Sequence, residues 1–452
     1  MLFRSIDEIH RVCGRDFPVE IRISGTEVTP DGYDVDEACR IAEQLDGHAD
    51  IIHVSVGSCK HSNESYARTH VSMFYPMGRN VEYAAAVKQH VKKSLVAAIG
   101  GLSDPYYMEE ILASGKADIV YMARQIICDP EFPNKVRMGV PEKIRKCMRC
   151  NTCFSHCMNS GHFYCAINPE SSRDAENYYE LPVADKQRVL VIGGGIAGMQ
   201  AALSASKFGH DVILCEKTNE LGGAILCEKD VPFKERLHDY IELQKENLRL
   251  STVDVRMNTE VTPDYVKAIK PDAIIAAVGS VPVTPNIPGI GGANVHQAID
   301  VYNNVELAKG KVVILGAGFT GAELGIYLTD LGHKVDIVEM GPTLNDGGND
   351  HHRDSVFDML NQKKIEMHYN TKAVEITDKG VKCEGPDGEV FYEADTVIHA
   401  VGMKALHEEA LAFEKSAPVF HMIGDCVKPA TIMHATSTGH TAARFLGRFS
   451  AI

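Results

Sequence analysis

The strongest constraint on this chain is a glycine pattern that occurs twice. RVLVIGGGIAGMQAALSASKFGHDVILCEK places Gly193, Gly195 and Gly198 as G-x-G-x-x-G between a strand-like apolar run and a helix-like segment. The strand after that helix ends at Glu216. In such a unit the first glycine permits a tight turn, the second lets the backbone approach a pyrophosphate, and the third lets helix and strand pack closely. The helix N-terminus adds unbonded N–H groups and the positive end of its dipole. KVVILGAGFTGAELGIYLTDLGHKVDIVEM repeats the plan with Gly316, Gly318, Gly321 and Glu339. One G-x-G-x-x-G is weak evidence. Two, each with flanking strand, helix and terminal acid, predict two Rossmann-like dinucleotide-binding domains.

The 452 residues leave room for further structure around this pair. With 46 Lys and Arg against 61 Asp and Glu, the net charge is -15, which repels phosphate backbones and speaks against a nucleic-acid partner. No apolar run reaches the roughly 18–20 residues of a membrane span. MLFRSIDEIHRVCGRDF carries charges where a signal peptide needs an apolar stretch, so a cytoplasmic protein is expected. Of the 13 cysteines, a group crowds between Cys147 and Cys165, a pattern for thiolates on a metal rather than for a disulfide scaffold.

Ahead of the cysteines, VEIRIS, IIHVSV, SLVAAI and ADIVYM read as strands, with ACRIAEQL, YAAAVKQHV and YMEEILAS as helices between them. Repeated strand–helix units predict a parallel sheet, because parallel strands need a crossover. The expected organisation is 1–140 as this α/β region, 141–187 as cysteine segment and linker, 188–301 and 405–452 as the two parts of the first dinucleotide domain, and 302–404 as the second.

The region from Arg188 onward resembles the two-dinucleotide-binding flavoproteins, which include glutathione reductase and thioredoxin reductase. Both fingerprints carry the resemblance, with Leu221-Gly222-Gly223, DAIIAAVGS ending beyond Gly279, DTVIHAVGM and HMIGDC. It implies FAD at Gly193, Gly195, Gly198, Glu216, Gly223 and Gly279, with Gly424 and Asp425 beside the ribityl chain. The nicotinamide nucleotide is implied at Gly316, Gly318, Gly321 and Glu339. A carboxylate at Glu339 accepts from a free 2′-hydroxyl and repels a 2′-phosphate, which favours NADH over NADPH. The redox cysteine pair of disulfide reductases is missing: Cys227 and Cys383 each stand alone and read as buried apolar residues.

KCMRCNTCFSHCMNSGHFYCAINP sets Cys147, Cys150 and Cys153 as C-x2-C-x2-C, with Cys165 beyond. Three thiolates so closely spaced, and a fourth from further along, suit a 4Fe–4S cluster. Four cysteines also hold structural zinc. The neighbouring flavin domain without redox thiols tips the reading to iron–sulfur, since its electrons need an exit. Cys157 is the surplus thiol and could replace Cys153 or Cys165.

The whole chain, in the order α/β region, cysteines ending in CAINP, then two dinucleotide domains, resembles the iron–sulfur branch of the old yellow enzyme family. The resemblance implies an FMN at the C-terminal mouth of a TIM-type barrel. Arg22 matches the strand arginine at the flavin ring. Gly100-Gly101 and Ala123-Arg124 match the turns at the FMN phosphate. His61 lies loosely where the dienoyl-CoA reductases of this branch place a catalytic histidine, and Tyr66 is a further candidate acid. The departure is that four strand–helix units precede the cysteines where a barrel needs eight. They match the C-terminal half. A truncated product, a separately encoded N-terminal half, or self-association would each account for this.

The implied electron path runs from NADH to FAD, to the 4Fe–4S cluster, to FMN and on to an activated C=C bond of a small unsaturated substrate. The alternatives are an electron-transfer subunit serving a partner with the rest of the barrel, and an inactive remnant.

Overall fold

A computed structural model describes residues 2–58, 63–179, 182–345 and 347–448. It divides into two compact units, Met1–Asn151 and Thr152–Ile452.

In the first unit, strands β1 (Glu20–Ser24), β2 (Ile51–Ser55), β3 (Leu95–Ala98) and β4 (Ile119–Val120) form a parallel sheet in chain order. Helices Val35–Leu45, Val81–His90 and Pro105–Ala113 make the crossovers. Asp34 and Asp104 cap the first and third by accepting from N–H groups of their opening turns. Strand neighbours that follow chain order, all parallel, are the winding of a TIM-type barrel, present here as four strands among the described residues.

The two faces of this sheet differ. Ile21, Ile23, Ile52, Val54, Val96, Ala98 and Val120 pack against the helices in one core. The alternate residues stand on the opposite face, where register lines up Arg22, His53, Ala97 and Ile119 in one row. Arg22 on that face is exposed, and so is Leu95 at 46%.

The second unit contains two parallel five-stranded sheets, each built around one glycine fingerprint. The first has the order Val419–Met422, Ala273–Ala276, Arg188–Ile192, Asp211–Cys215, Asp254–Arg256. Its outermost strand comes from the far end of the chain, so residues beyond 405 return to complete the first lobe. The second has the order Val295–Gln297, Thr396–His399, Lys311–Leu315, Lys334–Val338, Glu366–His368. A three-stranded antiparallel sheet, Lys372–Thr377, Gly380–Gly385 and Gly388–Glu393, shares a core with it through Val313, Leu315, Ile376, Val381 and Cys383. No helix among the described residues is long and apolar enough to cross a membrane.

Candidate functional site

The first fingerprint lies where strand Arg188–Ile192 turns into helix Ile196–Lys207. Gly193 has φ +106°, a left-handed backbone that side chains disfavour. A Cβ on Gly198 would fall 1.8 Å from the Gly193 carbonyl oxygen, so helix and loop touch only because that position is glycine. Glu216 closes the loop from the neighbouring strand. Its Oε2 accepts from the Gly194 N–H at 2.7 Å, and its Oε1 accepts from the Thr218 N–H at 2.8 Å. Gly222 donates its N–H to the Gly194 carbonyl at 2.9 Å, which brings the Leu221-Gly222-Gly223 turn against Gly195.

These elements surround a cavity of about 650 Å³. Gly193, Gly195, Glu216, Gly223, Gly279 and Asp425 all line it. Asp425 is held there by Ser280, whose hydroxyl donates at 3.1 Å, and by the Ala430 N–H at 3.2 Å. Gly424 sits beside Ala197 of the fingerprint helix, where a Cβ would come within 2.8 Å of the alanine methyl. A largely apolar cavity lined by the fingerprint glycines Gly193 and Gly195 and by the two acids Glu216 and Asp425 fits the parts of a flavin dinucleotide.

The second fingerprint reproduces this geometry. Gly316 has φ +106°, and a Cβ on Gly321 would lie 2.1 Å from the Gly316 oxygen. Glu339 accepts from Ala317 N–H at 2.8 Å and from Gly341 N–H at 2.7 Å. Gly318 opens helix Phe319–Asp330, and a Cβ built there meets nothing within 4 Å, so the approach to the helix N-terminus is clear.

Between the two fingerprints lies a buried charge network that sequence reasoning missed. Lys234, 7% exposed, donates to Glu228 Oε1 at 2.8 Å and to Glu323. Glu323 in turn meets His352 Nε2 at 2.6 Å. Burial alone would lower the Lys234 pKa and raise that of Glu323. The opposed charges reverse both, so the lysine stays protonated and the Glu323 carboxyl falls below the usual carboxylate range. Glu228 belongs to the turn that follows Gly223, while Glu323 is on the second fingerprint helix. The network therefore ties the rim of the first cavity to the second lobe. A signal was present: Glu323 stands two residues after Gly321, on a helix otherwise facing the core.

Neither solitary cysteine is poised for redox chemistry. Burial pushes the Cys227 thiol up to about 12 and Cys383 up to about 11, so both stay protonated and weakly nucleophilic at neutral pH.

In the cysteine segment, Cys147 and Cys150 end the first unit and Cys153, Cys157 and Cys165 belong to the second. Buried Gln125 accepts from the Cys147 N–H at 2.8 Å, and the Arg149 N–H points at Cys147 Sγ at 3.4 Å, a contact that favours a thiolate. Arg149 and Asn151 have φ of +56° and +58°, so the chain coils tightly here. Cys153 is buried in helix Thr152–Ser160, which Ser155 fastens to Asn349 at 2.8 Å and to His351 at 3.1 Å. Cys165 donates its N–H to Ser171 Oγ at 2.8 Å.

In the first unit, Gly100-Gly101 follows β3 and Ala123-Arg124 follows β4, at the same C-terminal end of adjacent strands. Both glycines have positive φ, +152° and +69°. Arg124 donates to the Val71 carbonyl at 2.8 Å and to Asn151 Oδ1. Arg22 stands apart from these turns, within β1. Beside it, His53 Nδ1 lies 2.9 Å from Glu20 Oε1, and Tyr121 donates to Glu20 Oε2 at 2.7 Å. Burial lowers the His53 pKa more than Glu20 restores it, with Arg22 lowering it further. Tyr66 is in helix Asn63–Thr69 with its ring 5.2 Å from that of His70. His61 lies outside the described residues.

Residues 2–143 match the NADH:flavin oxidoreductase / NADH oxidase family. Residues 187–422 match the pyridine nucleotide-disulphide oxidoreductase family. The chain is 34% identical over 454 residues to an NADH oxidase of Thermoanaerobacter brockii, covering 97% of this chain and 68% of that one. It is 29% identical over 459 residues to a cinnamate reductase of Clostridium sporogenes, covering 97% and 68%. Among solved structures, a 2-naphthoyl-CoA reductase in complex with 2-naphthoyl-CoA superposes with a TM-score of 0.90 at 27% identity, covering 98% of this chain and 68% of that one.

Proposed function

Because the chain belongs to the NADH:flavin oxidoreductase / NADH oxidase family, with a pyridine nucleotide-disulphide oxidoreductase module following the barrel region, we propose that it is an NADH-dependent flavin oxidoreductase that reduces an activated C=C bond. The observation that carries this reading is the 650 Å³ cavity between a glycine loop and Asp425, joined through Lys234 to a second glycine loop, with no activated thiol at Cys227 or Cys383. The named substrates of the cinnamate and 2-naphthoyl-CoA reductases are unsaturated acyl compounds, which supports the same bond type here.

When bound, FAD supplies acceptance of hydride from NADH, the 4Fe–4S cluster one-electron passage, and FMN hydride delivery to carbon. The chain's own residues divide the binding. Peptide N–H groups at Gly193–Gly198 and Gly316–Gly321 receive pyrophosphates, and Glu216 and Glu339 receive ribose hydroxyls. Asp425 and Gly424 border the ribityl chain. Cys147, Cys150, Cys153 and Cys165 supply the cluster thiolates, a set that rests on their spacing in the sequence. Gly100, Gly101, Ala123 and Arg124 receive the FMN phosphate. Arg22 places a fixed positive charge toward reduced flavin. The acid that protonates the substrate is His61 or Tyr66.

Glu339 also sets the nicotinamide preference. Glu339→Gln should raise KM for NADH about tenfold, the loss of a charged hydrogen bond, while NADPH use improves. Initial rates of dye reduction with each nucleotide measure this. An unchanged NADH/NADPH ratio would remove Glu339 from the ribose site.

A second reading follows from the open sheet. On its face bearing Arg22, Glu20, Arg22 and Leu95 are exposed while His53 and Ala97 are buried, and β1 and β4 each leave one edge unpaired among the described residues. Complementary strands, on a separate chain or a second copy, would close it. Without them the protein relays electrons from NADH to a partner. Anaerobic purification with flavin, iron and sulfide analysis decides: FAD, FMN and a full cluster support the reductase. FAD and iron without FMN leave the relay.

A further inference from the structure

Away from both nucleotide loops, the second lobe gathers Asp336, Glu366 and His368 so that one donor atom from each lies within 4.8 Å of the others. Strand register creates the group. Asp336 pairs directly with Glu366 on the edge strand, and His368 follows two residues later on the same face. Two carboxylates placed opposite each other across a sheet repel, so the arrangement is unfavourable unless a cation answers it.

Lys311, from the next strand, answers part of it, with its Nζ 2.8 Å from Asp336 Oδ2. The remainder is left over. Asp336 is 3% exposed, and its Oδ1 is buried without a hydrogen-bond partner. His368 Nε2 is likewise buried without one, 4.0 Å from Glu366 Oε2. The Tyr392 ring, 4.3 Å from that of His368, holds the imidazole in place. A buried carboxylate with one unsatisfied oxygen, an unsatisfied imidazole nitrogen and a second carboxylate, gathered within 4.8 Å, form a ligand set lacking its centre.

We propose that Asp336, Glu366 and His368 bind a divalent first-row cation of the zinc type. One imidazole with two carboxylates suits such an ion, whereas magnesium and calcium prefer oxygen alone. Glu366 is solvent-exposed, which gives the ion an entry path and leaves a position for water. Small side-chain rotations bring the donors to the ~3.4 Å spacing of a tetrahedron with bonds of about 2.0–2.1 Å. The site also reaches the nucleotide loop, because the His368 carbonyl accepts from the Glu339 N–H at 2.9 Å. Its role would be to fix the edge strand that supports Glu339.

The test is a zinc titration of the anaerobic holoenzyme by calorimetry, with iron content followed to show that the cluster is intact. The wild type should take up zinc at a site whose affinity falls at least about tenfold in His368→Gln and in Asp336→Asn. Lys311→Met should bind zinc more tightly, since the competing ammonium is gone. This arm remains readable if Asp336→Asn fails to fold. Equal zinc uptake by wild type and His368→Gln would overturn the proposal, as would no uptake by wild type. In that last case a water or a shared proton satisfies Asp336 and His368.

Discussion

Replacing Lys234 with methionine is expected to destabilise the second unit by about 3–5 kcal/mol, because buried Glu323 and half-buried Glu228 lose their shared cation. Lys234 and Glu323 are 7% and 5% exposed, so water cannot take the lysine's place without opening the region between the two fingerprints. For a lobe of this size the loss corresponds to a fall in Tm on the order of 10 °C. A double variant, Lys234→Met with Glu323→Leu, should recover much of it, since an apolar pair avoids the uncompensated charge. The pH dependence gives the sign. Glu323 has a folded pKa below its unfolded value, so in the wild type its contribution is present above the unfolded pKa and is lost only in strong acid, as pH falls towards the folded value. In the single variant burial raises the same carboxyl, which then takes up a proton on mild acidification and relieves the strain. The gap in Tm between wild type and variant should therefore narrow from pH 8 to pH 5. A constant gap would mean that Lys234 acts by packing alone.

The second large effect concerns Gly198. Gly198→Ala should weaken FAD binding about 100-fold, the equivalent of roughly 2–3 kcal/mol, because the new methyl meets the Gly193 carbonyl oxygen and that atom is backbone. The loop must open to accommodate it, which moves the N–H groups proposed above to receive the pyrophosphate. Gly195→Ala is the informative control. Its Cβ would sit 3.8 Å from Gly223 Cα, an ordinary contact, yet it projects into the cavity. That variant should fold as the wild type does and still lose flavin. Flavin absorbance per chain and dilution-induced flavin release read both. Full flavin occupancy in Gly195→Ala would show that the ligand does not pass over this loop.

The features that could be read from sequence are those whose physics is local. A glycine forced by a positive φ, a glycine forced by helix–strand contact, and an acid at the end of the next strand all lie within one short segment. Gly193, Gly198 and Glu216 therefore announce their arrangement, as do Gly316, Gly321 and Glu339. The strands of the first unit were equally plain: VEIRIS, IIHVSV and SLVAAI overlap β1, β2 and β3. Their number, short of a closed barrel, could also be counted. Lys234 was illegible for the opposite reason. Its partners Glu228 and Glu323 come from different lobes, and nothing in VPFKERL distinguishes a buried lysine from a solvated one. The set Asp336, Glu366 and His368 depends on register between two strands separated by a helix, which spacing alone does not reveal.

The acids at the strand ends have one more consequence. Glu216 and Glu339 each use both carboxylate oxygens on peptide N–H groups of their own loops and turns. The chain itself thus encodes the curvature that a dinucleotide requires. Ordering entropy of these loops is met during folding rather than at the moment of association, so a nucleotide meets a rim already shaped for it. Nucleotides can then exchange at a rigid rim, a useful property where one nucleotide must stay through many turnovers and the other must depart after each.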